Sequence, residues 1–492
     1  MSDQTVRLSP LIDVQPVLLV VGVLLSTLGC AMMLPALYEL AIGEADWLVF
    51  AASALLTLFI GISLAIANRG RAETFSVKQA FLLTNLSWLS LTALGAMPFA
   101  FSHMGLSYTD AFFEAMSGIT TTGATVLTNL DETPAGILLW RALLQWLGGL
   151  GIIVMAISVL PILQVGGMQL FRVEGFMLEG KVMPRATQIA GSLIVLYGAI
   201  TGICALCYAI AGMSIFDAIV HAMTTIATGG FSSHDASLAY FSNELIEVIA
   251  IVFMIVGSLP FVLYLRALRG NAGVVFADSQ VRWFFGVLAL FTALAWIAYQ
   301  TTPPEPIPSR LVTVLFNVTS VMTGTGYTTT AYDNWSAMAV VVFFLVMFVG
   351  GCSGSTSCGI KIFRFQVMFQ AIRCRLRQTI YPKGVFVEEY NGRPIPRSVT
   401  GAVMGFFFAF LACFVATATL LNVMGLDLMT ALSAAASAIA NVGPGLGAMV
   451  GPVGNYAELP DAAKWVLSAA MLVGRLEIFA VLVLLSPSFW RG

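Results

Sequence analysis

The hydropathy of the chain is a succession of apolar runs near residues 17–38, 47–67, 78–101, 135–163, 187–211, 244–268, 281–300, 335–363, 398–424 and 463–486. About 20 mostly apolar residues are enough for a helix to cross the hydrocarbon core of a bilayer, so the pattern predicts about ten spans. From the third span onward, alternate pairs enclose a shorter apolar stretch of about three turns and then a loop rich in Gly and Thr. These segments are too short to cross. They read SGITTTGATVLTNLD around Gly123, TTIATGGFSSHD around Gly229, SVMTGTGYTTTAYD around Gly326 and AIANVGPGLGAM around Gly443. The glycines are 106, 97 and 117 residues apart. That period is too long for a solenoid but fits a span, a short helix, a re-entrant loop and another span. The expected fold class is an all-α polytopic membrane protein, with four pseudo-repeated units around one central pore after two extra N-terminal spans. The expected divisions are a two-span prefix over 1–75 and pore repeats over 76–170, 171–272, 273–390 and 391–492. Because each repeat holds two full spans, all four enter the membrane from the same side, as parallel rather than inverted repeats.

Composition sharpens this picture. Of 492 residues, 59% are hydrophobic and 10% charged, with a mean hydropathy of +0.91. Soluble domains carry roughly 25% charged residues, so a soluble design is excluded and lipid is the expected surroundings. The formal net charge of -2 gives no reason to expect a nucleic-acid partner. Arg69, Arg71, Arg172, Lys181, Arg266, Arg269, Arg282 and the run from Lys361 to Arg397 fall on the side opposite the Gly-Thr loops, with Arg7 near the start. Glu39, Asp46, Asp110, Asp131, Asp217, Asp235, Glu305, Asp333 and Asp427 fall on the loop side. Positive flanks stay cytoplasmic, so the loops are expected to open outward and both termini to be cytoplasmic, with Arg141, Arg310, Lys464 and Arg475 as exceptions. Seven cysteines sit mostly in apolar runs and are assigned no chemistry. His103, His221 and His234 form no ligand-spaced cluster and read as polar edge residues. No nucleophile, base and stabiliser set appears in any loop, which argues against an enzyme.

The loops carry the chemistry. A dehydrating cation needs oxygens in place of its water, and a loop can turn backbone carbonyls inward only where residues accept unusual dihedrals, which glycine supplies at low cost. Non-helical backbone at membrane depth is tolerated only when buried in protein or facing a wet cavity, and four copies in matching places need a common cause, a shared pore. Asp110, Asp217 and Asp427, with Ser309 in the third unit, are expected to cap the short helices, whose C-terminal ends would favour a cation at the pore centre. The span over 335–363 is interrupted by Gly350, Gly351, Gly354, Ser355 and Gly359, hostile to continuous helix. That segment is a near miss for a phosphate loop, since Ile360 stands where Lys is required. Arg475 lies mid-span, where a charge usually faces a cavity or a partner, and Glu477, two residues on, is a poor partner for it. Arg364, Arg373, Arg375, Arg377 and Lys383 are read as a basic cytoplasmic surface.

TTTGAT at 120–125, ATGGFS at 227–232, TGTGY at 323–327, NVGPGLG at 441–447 and GGCSGSTSCGIK at 350–361 together resemble the Trk/Ktr/HKT superfamily of potassium transporters, specifically its TrkH-like bacterial members. The resemblance covers essentially the full chain. It implies a potassium pore whose filter glycines are Gly123, Gly229, Gly326 and Gly443, with Thr121 and Thr122, Ala227 and Thr228, Gly324 and Thr325, and Asn441 and Val442 contributing carbonyls. Among plant relatives a Ser at the first filter glycine accompanies sodium transport, so Gly123 implies potassium. The resemblance makes the 350–361 segment an intramembrane gate, with Arg475 on the conduction path. It further implies a homodimer, a ring-forming nucleotide-binding regulatory subunit on the cytoplasmic face, and location in a bacterial inner membrane. No cofactor is expected in this chain beyond potassium as substrate. The fourth loop lacks the Thr pattern, which implies uneven coordination. The alternative function is a carrier coupling potassium to sodium or protons.

Overall fold

The computed structural model describes residues 12–70, 75–158, 167, 182–270, 272–301 and 310–491. Ser309, expected to cap the third short helix, lies outside these residues, as do Arg7, Arg71, Arg172, Lys181 and Glu305 of the charge argument. Among the described residues the chain is helical apart from loops and a two-stranded ribbon, Glu389–Tyr390 with Arg393–Pro394. It is an all-α polytopic membrane protein. Seven helices are long and apolar enough to cross a bilayer. Side chains such as Phe59, Leu206 and Phe408 lie exposed on their outer faces, where lipid rather than water suits them.

The other three expected spans are broken. Glu244–Ser258 and Phe261–Leu268 meet at 93° and Asp461–Arg475 and Phe479–Leu485 at 107°, and the span over 335–363 is Ala337–Met347, a loop, and Ile362–Ile380. Sequence reading anticipated only the last of these. Pro260 ends one hydrogen-bond ladder, since it has no amide hydrogen to donate. At the other break Glu477 and Ile478 adopt φ of 64° and 56°, a conformation costly for a β-branched residue.

Four short helices follow the expected plan: Tyr108–Ile119, Ile215–Ile226, Arg310–Thr323 and Leu428–Ala440, of 12, 12, 14 and 13 residues. The first two caps were misplaced. Ser107 and Ser214 are the N-caps, each accepting from the amide of Asp110 or Asp217 three residues on, and the carboxylates sit in the first turn, where the helix dipole favours them. Asp427 is the cap expected, accepting from the Thr430 amide at 3.0 Å.

The packing is cyclic. The first short helix lies against Asp461–Arg475 of the fourth unit, the second against Ala135–Ser158 of the first, the third against Glu244–Ser258 of the second, and the fourth against Ala337–Met347 of the third. Four units therefore close on one another and leave their Gly-Thr loops at the centre. The prefix helix Gln15–Ile42 packs along Trp47–Ala67 and against the first unit, where buried Glu39 accepts from the Gly136 amide at 3.1 Å.

Candidate functional site: the central loops and the segment beneath them

Each short helix ends the same way. The amides of Thr122, Gly229, Thr325 and Val442 donate back to the carbonyls of Ser117, Thr224, Ser320 and Ser437, at 2.8 to 2.9 Å. The residue before each and the residue after each take positive φ: Thr121 and Gly123, Thr228 and Gly230, Gly324 and Gly326, Asn441 and Gly443. This periodicity sets the equivalence of the loops and corrects the sequence reading of the second. Its glycine equivalent to Gly123, Gly326 and Gly443 is Gly230. Gly229 falls one position earlier, with Thr122, Thr325 and Val442, while Ala227 is the helix C-cap. The signal was available, because Thr-x-Gly, Thr-x-Gly, Gly-x-Gly and Asn-x-Gly align once residues compatible with left-handed backbone are matched two apart.

The glycines at the second positive-φ position are required by their neighbours. A Cβ on Gly123 would lie against the carbonyl oxygen of Gly229, on Gly230 against that of Thr325, on Gly326 against that of Val442, and on Gly443 against that of Thr122, in every case at no more than 2.8 Å. The first loop thus abuts the second, the second the third, the third the fourth, and the fourth the first. Thr121, Thr122, Thr228, Thr325, Asn441 and Val442 are nearly inaccessible. Four neutral carbonyls in one closed ring, at the C-terminal ends of four helices, can replace the water of a dehydrated cation.

Side chains missed by sequence reasoning brace this ring. Gln145 donates to the Gly229 carbonyl at 2.7 Å and accepts from the Phe231 amide at 3.0 Å. Glu114 and Arg141 form a buried ion pair at 2.8 Å. Glu114 also accepts from Thr125 and the Val126 amide, and Arg141 donates to the Ser232 carbonyl at 2.8 Å. Asn441 Nδ2 reaches Thr122 Oγ1 and the Met471 carbonyl, both at 2.9 Å. Two exceptions to the charge rule are thereby explained, Arg141 by Glu114 and Lys464 by Asp110, 2.5 Å away.

At the outer mouth His234 joins two units, with Nδ1 2.5 Å from Asp131 and Nε2 3.4 Å from Asp217. Burial opposes its protonation, but the hydrogen bonds it donates to Asp217 and Asp131 outweigh this and hold its pKa above the ordinary 6.5. The same hydrogen bond from His234 draws the Asp131 carboxyl below its usual 3.8. His221, expected at a polar edge, is fully buried and meets Ser232 Oγ at 3.0 Å. His103 sits against Asp46.

The segment over 350–361 lies directly under the ring and touches all four units. Thr356 Oγ1 donates to the carbonyls of Ile226 and Gly257, both at 2.9 Å. Ser357 Oγ donates to the Thr323 carbonyl at 2.6 Å, and Cys358 Sγ is 3.5 Å from Thr121 Oγ1. Arg475 Nη1 donates to the Thr356 carbonyl at 3.1 Å and to Cys358 Sγ. The broken span of the second unit frees the Ser258 carbonyl, which accepts from the Cys352 amide at 2.9 Å, while the Phe261 amide donates to the Gly354 carbonyl at 3.0 Å. Gly350 and Ile360 pair at the neck of the loop, 3.0 Å from amide to carbonyl. Of the residues singled out there, Gly350, Gly351 and Ser355 are buried, while Gly354 and Gly359 take positive φ.

Glu477 is not the partner of Arg475. It forms a buried ion pair with Arg364, which the sequence reading had placed on the cytoplasmic surface. Arg364 is 0% exposed and stacks 3.6 Å over the Phe406 ring. Lys361 is buried as well.

Comparison with known proteins gives one answer at every level. The family profile TrkH, described as a cation transport protein, matches residues 48–491. The chain is 46% identical over 483 residues to the Trk system potassium uptake protein TrkI of Halomonas elongata, covering 97% of each chain. It is 37% identical to the Trk system potassium uptake protein TrkH of Escherichia coli, covering 96% of this chain and 98% of that one. The crystal structure of the potassium transporter TrkH from Vibrio parahaemolyticus superposes with a TM-score of 0.89 at 35% identity, covering 97% of this chain and 100% of that one.

Proposed function

The chain belongs to the TrkH family of cation transport proteins, and on that premise we propose that it carries potassium across a bacterial inner membrane through the central ring. The observation that carries this reading is the closure of four loops, each glycine seated on the next loop's carbonyl. The ring consists of Thr121, Thr122 and Gly123; Thr228, Gly229 and Gly230; Gly324, Thr325 and Gly326; and Asn441, Val442 and Gly443. A potassium ion arriving from outside exchanges its water for these carbonyls, and the four helix C-termini lower its energy there. The buried ring braces hold the carbonyl spacing, which decides between ions of different radius.

The 350–361 segment is the gate. Bonded to all four units beneath the ring, it blocks the path, and its displacement opens it. Arg475, fixed beside it, raises a charge barrier in a region of low dielectric. The chain divides into the prefix over 1–75 and repeats over 76–170, 171–272, 273–390 and 391–492, with both termini cytoplasmic. Two copies associate, each with its own pore, and a nucleotide-binding ring docks on the basic cytoplasmic side around Arg373, Arg375, Arg377 and Lys383. The names of the relatives, which place them in a Trk system, agree with a regulatory partner.

Potassium or rubidium flux in proteoliposomes tests the reading. Flux down the potassium gradient alone, inhibited little by sodium, is the expected result; a requirement for a sodium or proton gradient would instead establish the coupled carrier.

A further inference from the structure

Directly under the ring, among the described residues, two buried cations, Arg475 and Lys361, lack an acid of their own. Arg475 is 4% exposed, and while its Nη1 is bonded, Nε and Nη2 have no acceptor in the protein. They belong to a cavity also lined by Lys361, Ser355, Ser357 and Glu477, with room for little more than one water-sized sphere, about 20 Å³. Among the described residues lining it, Glu477 is the one carboxylate, and Arg364 already pairs with it. Lys361 Nζ donates to the Ser357 carbonyl, a neutral acceptor. Among the described residues, Arg475 and Lys361 therefore have no acid of their own, the one carboxylate being engaged by Arg364. A guanidinium does not shed its proton, and an uncompensated charge out of water is costly. Free N–H groups, an ammonium and serine hydroxyls form a donor set suited to an anion.

We propose that this cavity binds one small monovalent anion of halide size, held by Nε–H and Nη2–H of Arg475 and drawn in by Lys361. The cavity is too small for gluconate. A seated anion cancels the charge that opposes an approaching cation, so anion occupancy and potassium flux are coupled. That consequence, though not the site itself, rests on the reading of Arg475 as a barrier on the potassium path.

The test compares the purified full-length protein in potassium chloride or bromide with potassium gluconate, at equal potassium concentration and ionic strength. Halide is expected to raise the melting temperature by several degrees in a saturable manner. Arg475→Gln abolishes the rise, and Lys361→Met moves its half-saturation to about ten-fold higher halide. Arg475→Lys, which keeps the charge but lacks the fork of donors, retains a weakened response and decides the matter should the Gln variant not fold. Equal melting in halide and gluconate overturns the site, as does a rise undiminished in the Arg475 variants. Rubidium flux in proteoliposomes then separates site from consequence. Flux in the parent should fall several-fold when chloride is replaced by gluconate, and flux in Arg475→Ala should not respond. Halide-dependent melting with halide-independent flux keeps the site and overturns the barrier reading of Arg475.

Discussion

A single carbon at the ring tests its register. On Gly230 a methyl group meets the fixed Thr325 carbonyl, and φ is +74°; on Gly229 it meets the movable Gln145 side chain at ordinary φ. Gly230→Ala should therefore abolish selectivity or flux, whereas Gly229→Ala should cost no more than about ten-fold, measured as the potassium-to-sodium permeability ratio. Equal effects would return the second loop to the register first read from the sequence. Gly123→Ser, with φ at +86° and the Gly229 carbonyl in the way, carries a backbone cost of roughly 1–2 kcal/mol and should lower the permeability ratio about ten-fold while leaving a pore. Two buried arginines separate by the same logic. Arg364→Ala strands Glu477 and should cost about 3–5 kcal/mol of stability, visible as a lower melting temperature. Arg475→Ala strands no acid, so it should raise flux at a smaller stability loss than Arg364→Ala, that of the Thr356 bond and of any bound anion. Lys should keep most of the barrier, and Gln should resemble Ala. A destabilised Arg475→Ala with unchanged flux per folded molecule would remove Arg475 from the conduction path.

At the scale of elements, the segment over 350–361, the proposed gate, is a loop held to its neighbours largely by hydrogen bonds. Each bond contributes about 0.5–1.5 kcal/mol net, so the segment can be released in steps. Thr356→Val removes the hydroxyl proton shared between the carbonyls of Ile226 and Gly257, and deletion of Gly354 to Thr356 removes more. Basal flux without a regulator should rise in that order, at unchanged ion preference because ring and loop are separate layers. Unchanged flux in a folded deletion variant would mean a static kink. The sequence showed this break through its Gly and Ser content, whereas the breaks at 258–261 and 475–479 gave weaker signals. A shared clue did exist. A Cβ on Gly148 or Gly474 would lie 2.0 Å from the carbonyl oxygen of Ile119 or Ile439, so the second span of these units needs a glycine where it passes under its own short helix. WLGG, IVGS and LVGR mark that place in the first, second and fourth units, whereas Gly350 of FVGG in the third lies against Cys358 of the loop instead.

Across the whole molecule, the outer mouth depends on contacts between units, and His234 makes one of them titratable. Its pKa is raised in the folded state, so its contribution is full below about 6.5 and is lost as pH rises through the higher folded value. Asp131, whose pKa is lowered, contributes above about 3.9 and loses that contribution as pH falls through its folded value. The His234–Asp131 pair is thus fully present between those limits and weakens on the alkaline side. Asp131 is 44% exposed, so solvent screening keeps the effect below about 1 kcal/mol. A small fall in melting temperature above pH 6.5, absent in His234→Gln, is the expected result; an identical pH profile in that variant would assign the effect elsewhere.

The sequence by itself determined the membrane class, the four short helices and the loops after them, because each follows from local properties: apolar length, glycine content and repetition. It also placed Asp427 as a cap, a question of spacing within one helix; Glu477 is likewise not the partner of Arg475, though the helix on whose spacing that expectation rested ends at Arg475. Only the tertiary structure decided the burial of Arg364 and Lys361, the pairing of Glu114 with Arg141, and the meeting of all four units on the 350–361 segment. Those depend on which groups approach across helices and units, from 27 residues apart for Glu114 and Arg141 to 113 for Arg364 and Glu477. A side chain's periodicity gives the face of its helix, but not which neighbour that face meets.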